Sequence, residues 1–137
     1  MIFKTLFLVI SLHSFSNQTC CEFDKDCFTI FVRSLYSRGV LSKESKNHVV
    51  LFSEAKYKGS FVRKIKVGNK TLCLKLTKSD NLNGVLNIVS IKQTASQQLV
   101  VDFTIKEGGG LTDGTVVLGF SDNKPIFLNA RVIRAIE

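Results

Sequence analysis

Three sets of residues in this chain have types and spacings that could do chemistry: four cysteines, one histidine behind the leader, and an uninterrupted basic run. The cysteines are Cys20, Cys21, Cys27 and Cys73. An even count in a short exported chain reads as two disulfides with three possible connectivities. A bond between neighbours Cys20 and Cys21 would strain the backbone, because their Cα atoms lie only ~3.8 Å apart. One of the two is therefore expected to pair with Cys27 and the other with Cys73. The bond to Cys73 would close a loop of about fifty residues, worth roughly 4 kcal/mol in the chain-entropy account. A zinc site does not fit, since no C-x-x-C or H-x-x-x-H spacing is present. No metal and no cofactor are expected.

Enzyme chemistry is poorly provided for. His48 is the histidine that remains once the leader, with its His13, is set aside. A two-histidine acid–base pair is then impossible, and any Ser-His-Asp or Cys-His arrangement has to use His48. That residue falls in a polar stretch, residues 42–48, read as a surface loop, and surface polarity is its expected role. The carboxylates are scattered, with no pair identifiable as a glycosidase couple. Gly108-Gly109-Gly110 lacks the Lys-Ser/Thr of a phosphate loop and reads as a hairpin connection. No catalytic residue is assigned, and a secreted hydrolase is the weakest of the three functional classes considered.

The basic run is the sharpest functional signal. Lys56, Lys58, Arg63, Lys64, Lys66, Lys70, Lys75 and Lys78 follow one another with no acid between them. The full chain carries a net charge of +8, and loss of the leader with Lys4 leaves +7. These eight bases account for the excess, because the remaining bases and acids nearly balance. Such a segment favours anionic partners, outside the cell a sulfated glycan or an acidic protein surface. The competing reading is a solvated sheet face whose lysines discourage edge-to-edge aggregation. Nucleic acid fits less well, because Tyr57 and Phe61 do not interleave with the bases as stacking platforms. Two glycosylation sequons accompany the run: Asn69-Lys70-Thr71 within it and Asn17-Gln18-Thr19 at the expected mature terminus.

The elements that must position these residues begin behind a leader. Lys4, the apolar run from Leu6 through Leu12, and Ser14-Phe15-Ser16 form the charged, apolar and small-residue regions of a secretory signal. The run is far shorter than the ~20 residues that span a bilayer as a helix. Residues 1–16 are thus expected to be removed, giving a secreted or lumenal protein with no integral membrane span. Residues 17–137 form one β-rich domain.

Within that domain, Phe28, Phe31, Val32 and Leu35 recur at helical spacing, predicting a helix over 26–38 capped by Asp26 and ended by Gly39. Val49 to Phe52 reads as a short buried strand. Phe61 to Val67 and Thr71 to Leu76 alternate around Gly68-Asn69, a hairpin in which Val67 faces Lys70, Ile65 faces Leu72 and Phe61 faces Leu76. That register puts Lys64, Lys66, Lys75 and Cys73 on one face. It puts Phe61, Ile65, Leu72, Leu74 and Leu76 on the other, with Arg63 as the exception. Strands are further expected over Val85 to Ile91 and Leu99 to Ile105. A final hairpin runs from Thr115 to Ile136 around residues 121–125. The fold class is mostly β, a sandwich or barrel-like set of antiparallel sheets with one short helix near the mature amino terminus. The expected function is a secreted non-enzymatic binder, immune-modulating or acting at cell surfaces, with a small subunit of a larger surface glycoprotein complex as the alternative.

Overall fold

A computed structural model describes residues 22–136 apart from 54, 56, 58, 80–82 and 108. The expected leader, Asn17, Cys20, Cys21, Lys56, Lys58 and Gly108 lie outside the described residues.

The fold is one helix held in the concave side of a curled seven-stranded sheet, a half-barrel. Helix α1 spans Lys25–Ser37. Its cap is Asp24, not Asp26: the Asp24 carboxylate accepts from the backbone N–H groups of Asp26 and Cys27, both at 3.1 Å. Asp26 instead lies in the first turn, where its charge suits the helix dipole. Gly39 ends the helix as expected, at φ +74°. The bonds Gly39 N–H to Tyr36 O and Val40 N–H to Leu35 O close the last turn. Cys27, Phe28, Phe31, Val32 and Leu35 are fully buried along one stripe. Burying each large apolar side chain of this kind contributes roughly 1.5–3 kcal/mol.

The strands are β1 (Asn47–Phe52), β2 (Lys64–Val67), β3 (Lys70–Leu76), β4 (Leu86–Gln93), β5 (Leu99–Glu107), β6 (Gly110–Ser121) and β7 (Lys124–Ile136), in the order β2-β3-β1-β4-β5-β6-β7. Most neighbours are antiparallel, as expected. Strand β1, however, lies between β3 and β4 and is parallel to both. Its continuous run Val49-Val50-Leu51-Phe52 fits this place, because a central parallel strand is covered on both faces. Val50 and Leu51 point to opposite faces and both are buried.

Side chains of the concave face alternate through the sheet. Leu99, Val101, Phe103 and Ile105 of β5 are all buried, next to Leu86 and Ile88 of β4 and Val116 and Leu118 of β6. Irregularities between Ile88 and Ser90, and opposite Val117 and Leu118, sharpen the local twist and help the sheet curl. Gly114 lies opposite Phe103, whose ring occupies the space a side chain at 114 would need. The last hairpin turns on two residues rather than five. Asp122 and Asn123 both take positive φ (+52° and +65°), the two-residue turn whose twist suits a hairpin. Pro125 therefore belongs to β7, an edge strand where proline is tolerated. Among the described residues no helix is long and apolar enough to cross a membrane.

Candidate functional site

The basic hairpin forms with the expected register. Val67 pairs with Lys70, Lys66 with Thr71, Ile65 with Leu72 and Lys64 with Cys73. Gly68 takes φ +62° in the turn, and Asn69 beside it is exposed, as a glycan acceptor requires. Alternation then sends Ile65, Leu72 and Leu74 into the core and Lys64, Lys66, Thr71 and Lys75 into solvent on the convex face. Cys73 sits half-buried between Lys64 of β2 and Asn47 of β1. Strands about 4.8 Å apart and a rise of about 3.3 Å per residue place Lys64 within roughly 8 Å of both Lys66 and Lys75, which lie about 14 Å from each other. The outward positions of β1 beside them are Asn47, Val49 and Leu51, so no carboxylate stands on this face of the three strands.

Two ends of the expected hairpin differ. Strand β2 begins at Lys64, so Phe61 and Leu76 do not pair, and Leu76 is 46% exposed. The cause is aromatic packing. Phe61 turns inward onto Phe28 (centroids 5.3 Å apart), Tyr57 (5.8 Å) and Phe52 (6.4 Å). Arg63 consequently precedes the strand and is exposed, contributing its carbonyl to Leu74 N–H. Lys78 lies beyond β3 and is exposed. Lys70 is exposed but its ammonium donates to the Lys43 carbonyl at 2.9 Å.

The parallel placement of β1 adds bases that sequence reasoning did not include. The loop before β1 runs along the hairpin: Cys73 N–H bonds to the Lys46 carbonyl, and Lys43 lies next to Lys70. From the helix, Arg33 Nε donates to the Lys66 carbonyl at 2.9 Å. Lys43, Lys46 and Arg33 are all exposed and widen the basic region. Glu44 is the acid within that loop.

His48 is not a surface-loop residue. It is the second residue of β1 and is 8% exposed. Its Nε2–H donates to the Ser45 carbonyl at 3.1 Å. Burial lowers its pKa below the ordinary 6.5, opposed by the bond to Ser45 and the charge of Glu107. The ring is thus neutral at neutral pH and serves the end of a strand.

Among the described residues there is no disulfide. Cys27 is wholly buried on the concave side, its Sγ–H donating to the Glu22 carbonyl at 3.3 Å. Burial above all, with the negative charges of Asp24 and Asp26, pushes its pKa up to about 12. Cys73 belongs to the convex face, so the sheet separates the two sulfurs and a Cys27–Cys73 bond is excluded. Their expected partners, Cys20 and Cys21, lie outside the described residues. No group of three or more metal-ligating side chains is found among the described residues.

The chain matches no family model, no curated protein and no solved structure.

Proposed function

We propose that the protein is a secreted, non-enzymatic binding protein that holds an anionic partner, a sulfated glycan or an acidic protein surface, on the convex face of β2 and β3. One observation carries this reading: the hairpin register gathers Lys64, Lys66 and Lys75 on one exposed face without a carboxylate among them. Like charges this close repel, and an anion offsets that repulsion. At physiological salt the Debye length is about 8 Å, so Lys64 acts together with each of its neighbours, while Lys66 and Lys75 meet through an anion long enough to span both. Lys43, Lys46 and Arg33 extend the same field.

Two further points support a binder over the alternatives. The neutral ring of His48 is tied to a backbone carbonyl inside the fold, which leaves acid–base chemistry without its obvious residue. Tyr57 and Phe61 are committed to the aromatic cluster around Phe28, so stacking on nucleic-acid bases has no platform beside the lysines. The test is elution from a heparin column against a sulfonate cation exchanger. The wild-type chain should need clearly more salt on heparin, and Lys64→Ser/Lys66→Ser/Lys75→Ser should remove the difference. Equal salt on both columns, or no change in the triple variant, would contradict the proposal.

A further inference from the structure

The sheet has two edges, and they differ in kind. Strand β2 has four residues, two of them outward lysines. Strand β7 has thirteen and ends the sheet with nothing paired beyond it among the described residues. Folded proteins ordinarily blunt such an edge by shortness, charge or cover. Here the inward middle of β7 is apolar at Ala130 and Val132, and exposed apolar residues stand before and after its outward Asn129 and Arg131. Ile126, Leu128 and Ile133 are 40%, 43% and 55% exposed. On the concave side a groove of about 470 Å³ runs between the end of α1 and β7, lined by Arg38, Val40, Ala130, Val132 and Arg134.

The groove has a charge pattern as well as a shape. Its floor is Val40, Ala130 and Val132, and an arginine stands at each end. Arg134 is exposed and is held by Nη2 donating to the Gly39 carbonyl at 2.8 Å. The Arg38 guanidinium lies 4.6 Å over the ring of Phe127. Among the described residues no carboxylate lines the groove, and Glu107 lies with Arg134 along the adjoining cleft. From Phe127 to Arg134 along β7 is about 20 Å, allowing for the extra residue at Leu128, the length of six steps of extended chain.

We propose that β7 and this groove take up an extended segment of a partner protein as an eighth strand. The segment's inward side chains are acidic at two positions six residues apart and apolar at the two between. Backbone bonds to the free edge supply affinity, and the groove reads alternate side chains, the division of labour of strand addition. The two carboxylates answer the two arginines, and the apolar pair covers Val40, Ala130 and Val132. This site is separate from the basic face of β2 and β3 and does not depend on that reading.

The probe is a capped, fluorescent peptide, Glu-Thr-Val-Thr-Val-Thr-Glu, measured by anisotropy against the full mature chain. Binding should weaken at least tenfold when both glutamates are glutamine, and again in an Arg38→Glu protein. N-methylation at alternate amides should abolish binding in one of its two frames and spare the other. Hydrogen exchange should slow across residues 126–134 on binding. Ala130→Glu, which places a carboxylate in the groove, gives a second variant should Arg38→Glu fail to fold. No binding at 1 mM, indifference to glutamine, or tolerance of both N-methyl frames would overturn the proposal. So would protection of residues 126–134 in the free protein that depends on its concentration, or on the presence of residues 17–21, since a second copy or the chain's own amino terminus would then hold the edge.

Discussion

Replacing Gly114 with alanine should destabilise the fold, against the usual trend for glycine within a strand. A Cβ at that position would meet Phe103 Cζ at 2.6 Å, Phe103 Cε1 at 2.8 Å and the Arg131 carbonyl oxygen at 2.9 Å. Removing a glycine from a strand interior ordinarily gains roughly 0.5–1 kcal/mol from the unfolded state. Forcing an extra carbon into a packed site costs about 1–3 kcal/mol. The upper end applies here, because Phe103 is wholly buried and the other neighbour is backbone. The net loss is about 2 kcal/mol, and with a urea m-value near 2 kcal/mol/M the midpoint should fall by roughly 1 M. Phe103→Leu removes the ring atoms in question. The double variant should therefore be at least about 1 kcal/mol more stable than the sum of the single effects. A Gly114→Ala midpoint at or above wild type, or strict additivity in the cycle, would refute the packing account.

Three other outcomes follow from the same structure. His48 has its folded pKa below the ordinary 6.5, so the unfolded chain takes up its proton first; stability is fully present above pH 6.5 and falls as the pH drops from there toward the folded pKa. Urea midpoints from pH 7.5 to 5 should show this slope in wild type and a shallower one in His48→Gln. Asp24→Ala should cost about 1 kcal/mol by leaving the N–H groups of Asp26 and Cys27 without their cap, whereas Asp26→Ala should cost less; thermal melts compare them. Non-reducing peptide mapping of the protein expressed into an oxidising compartment should find Cys27 and Cys73 each joined to Cys20 or Cys21 and never to each other.

Legibility in the sequence tracked how local each determinant was. The β2–β3 hairpin was readable because Gly68-Asn69 sets its register and strict alternation sets its faces. The helix was readable from Phe28, Phe31, Val32 and Leu35. The cap expected at Asp26 is Asp24 instead, because backbone geometry decides which carboxylate reaches the free N–H groups. The continuous run Val49 to Phe52 marks β1 as a buried strand, but its parallel pairing with β3 and β4 depends on partners distant in sequence. The polarity of residues 42–48 masks the start of β1, so His48 reads as loop rather than buried strand, and the approach of Lys43 and Lys46 to the hairpin depends on the pairing of β1 with β3. Phe61 was drawn out of its expected strand by rings distant in sequence, Phe28 and Phe52, which alternation does not register.

In the proposed function, position rather than net charge makes the hairpin a binding face. Two triple variants with the same charge test it. Lys64→Ser/Lys66→Ser/Lys75→Ser empties the face, while Lys92→Ser/Lys124→Ser/Arg131→Ser removes three exposed bases from β4 and β7. Titration with a heparin oligosaccharide at 0.15 M salt should show at least a tenfold loss of affinity in the first variant and little change in the second. Equal losses in both would mean that the basic segment acts only through total charge, and would contradict the account.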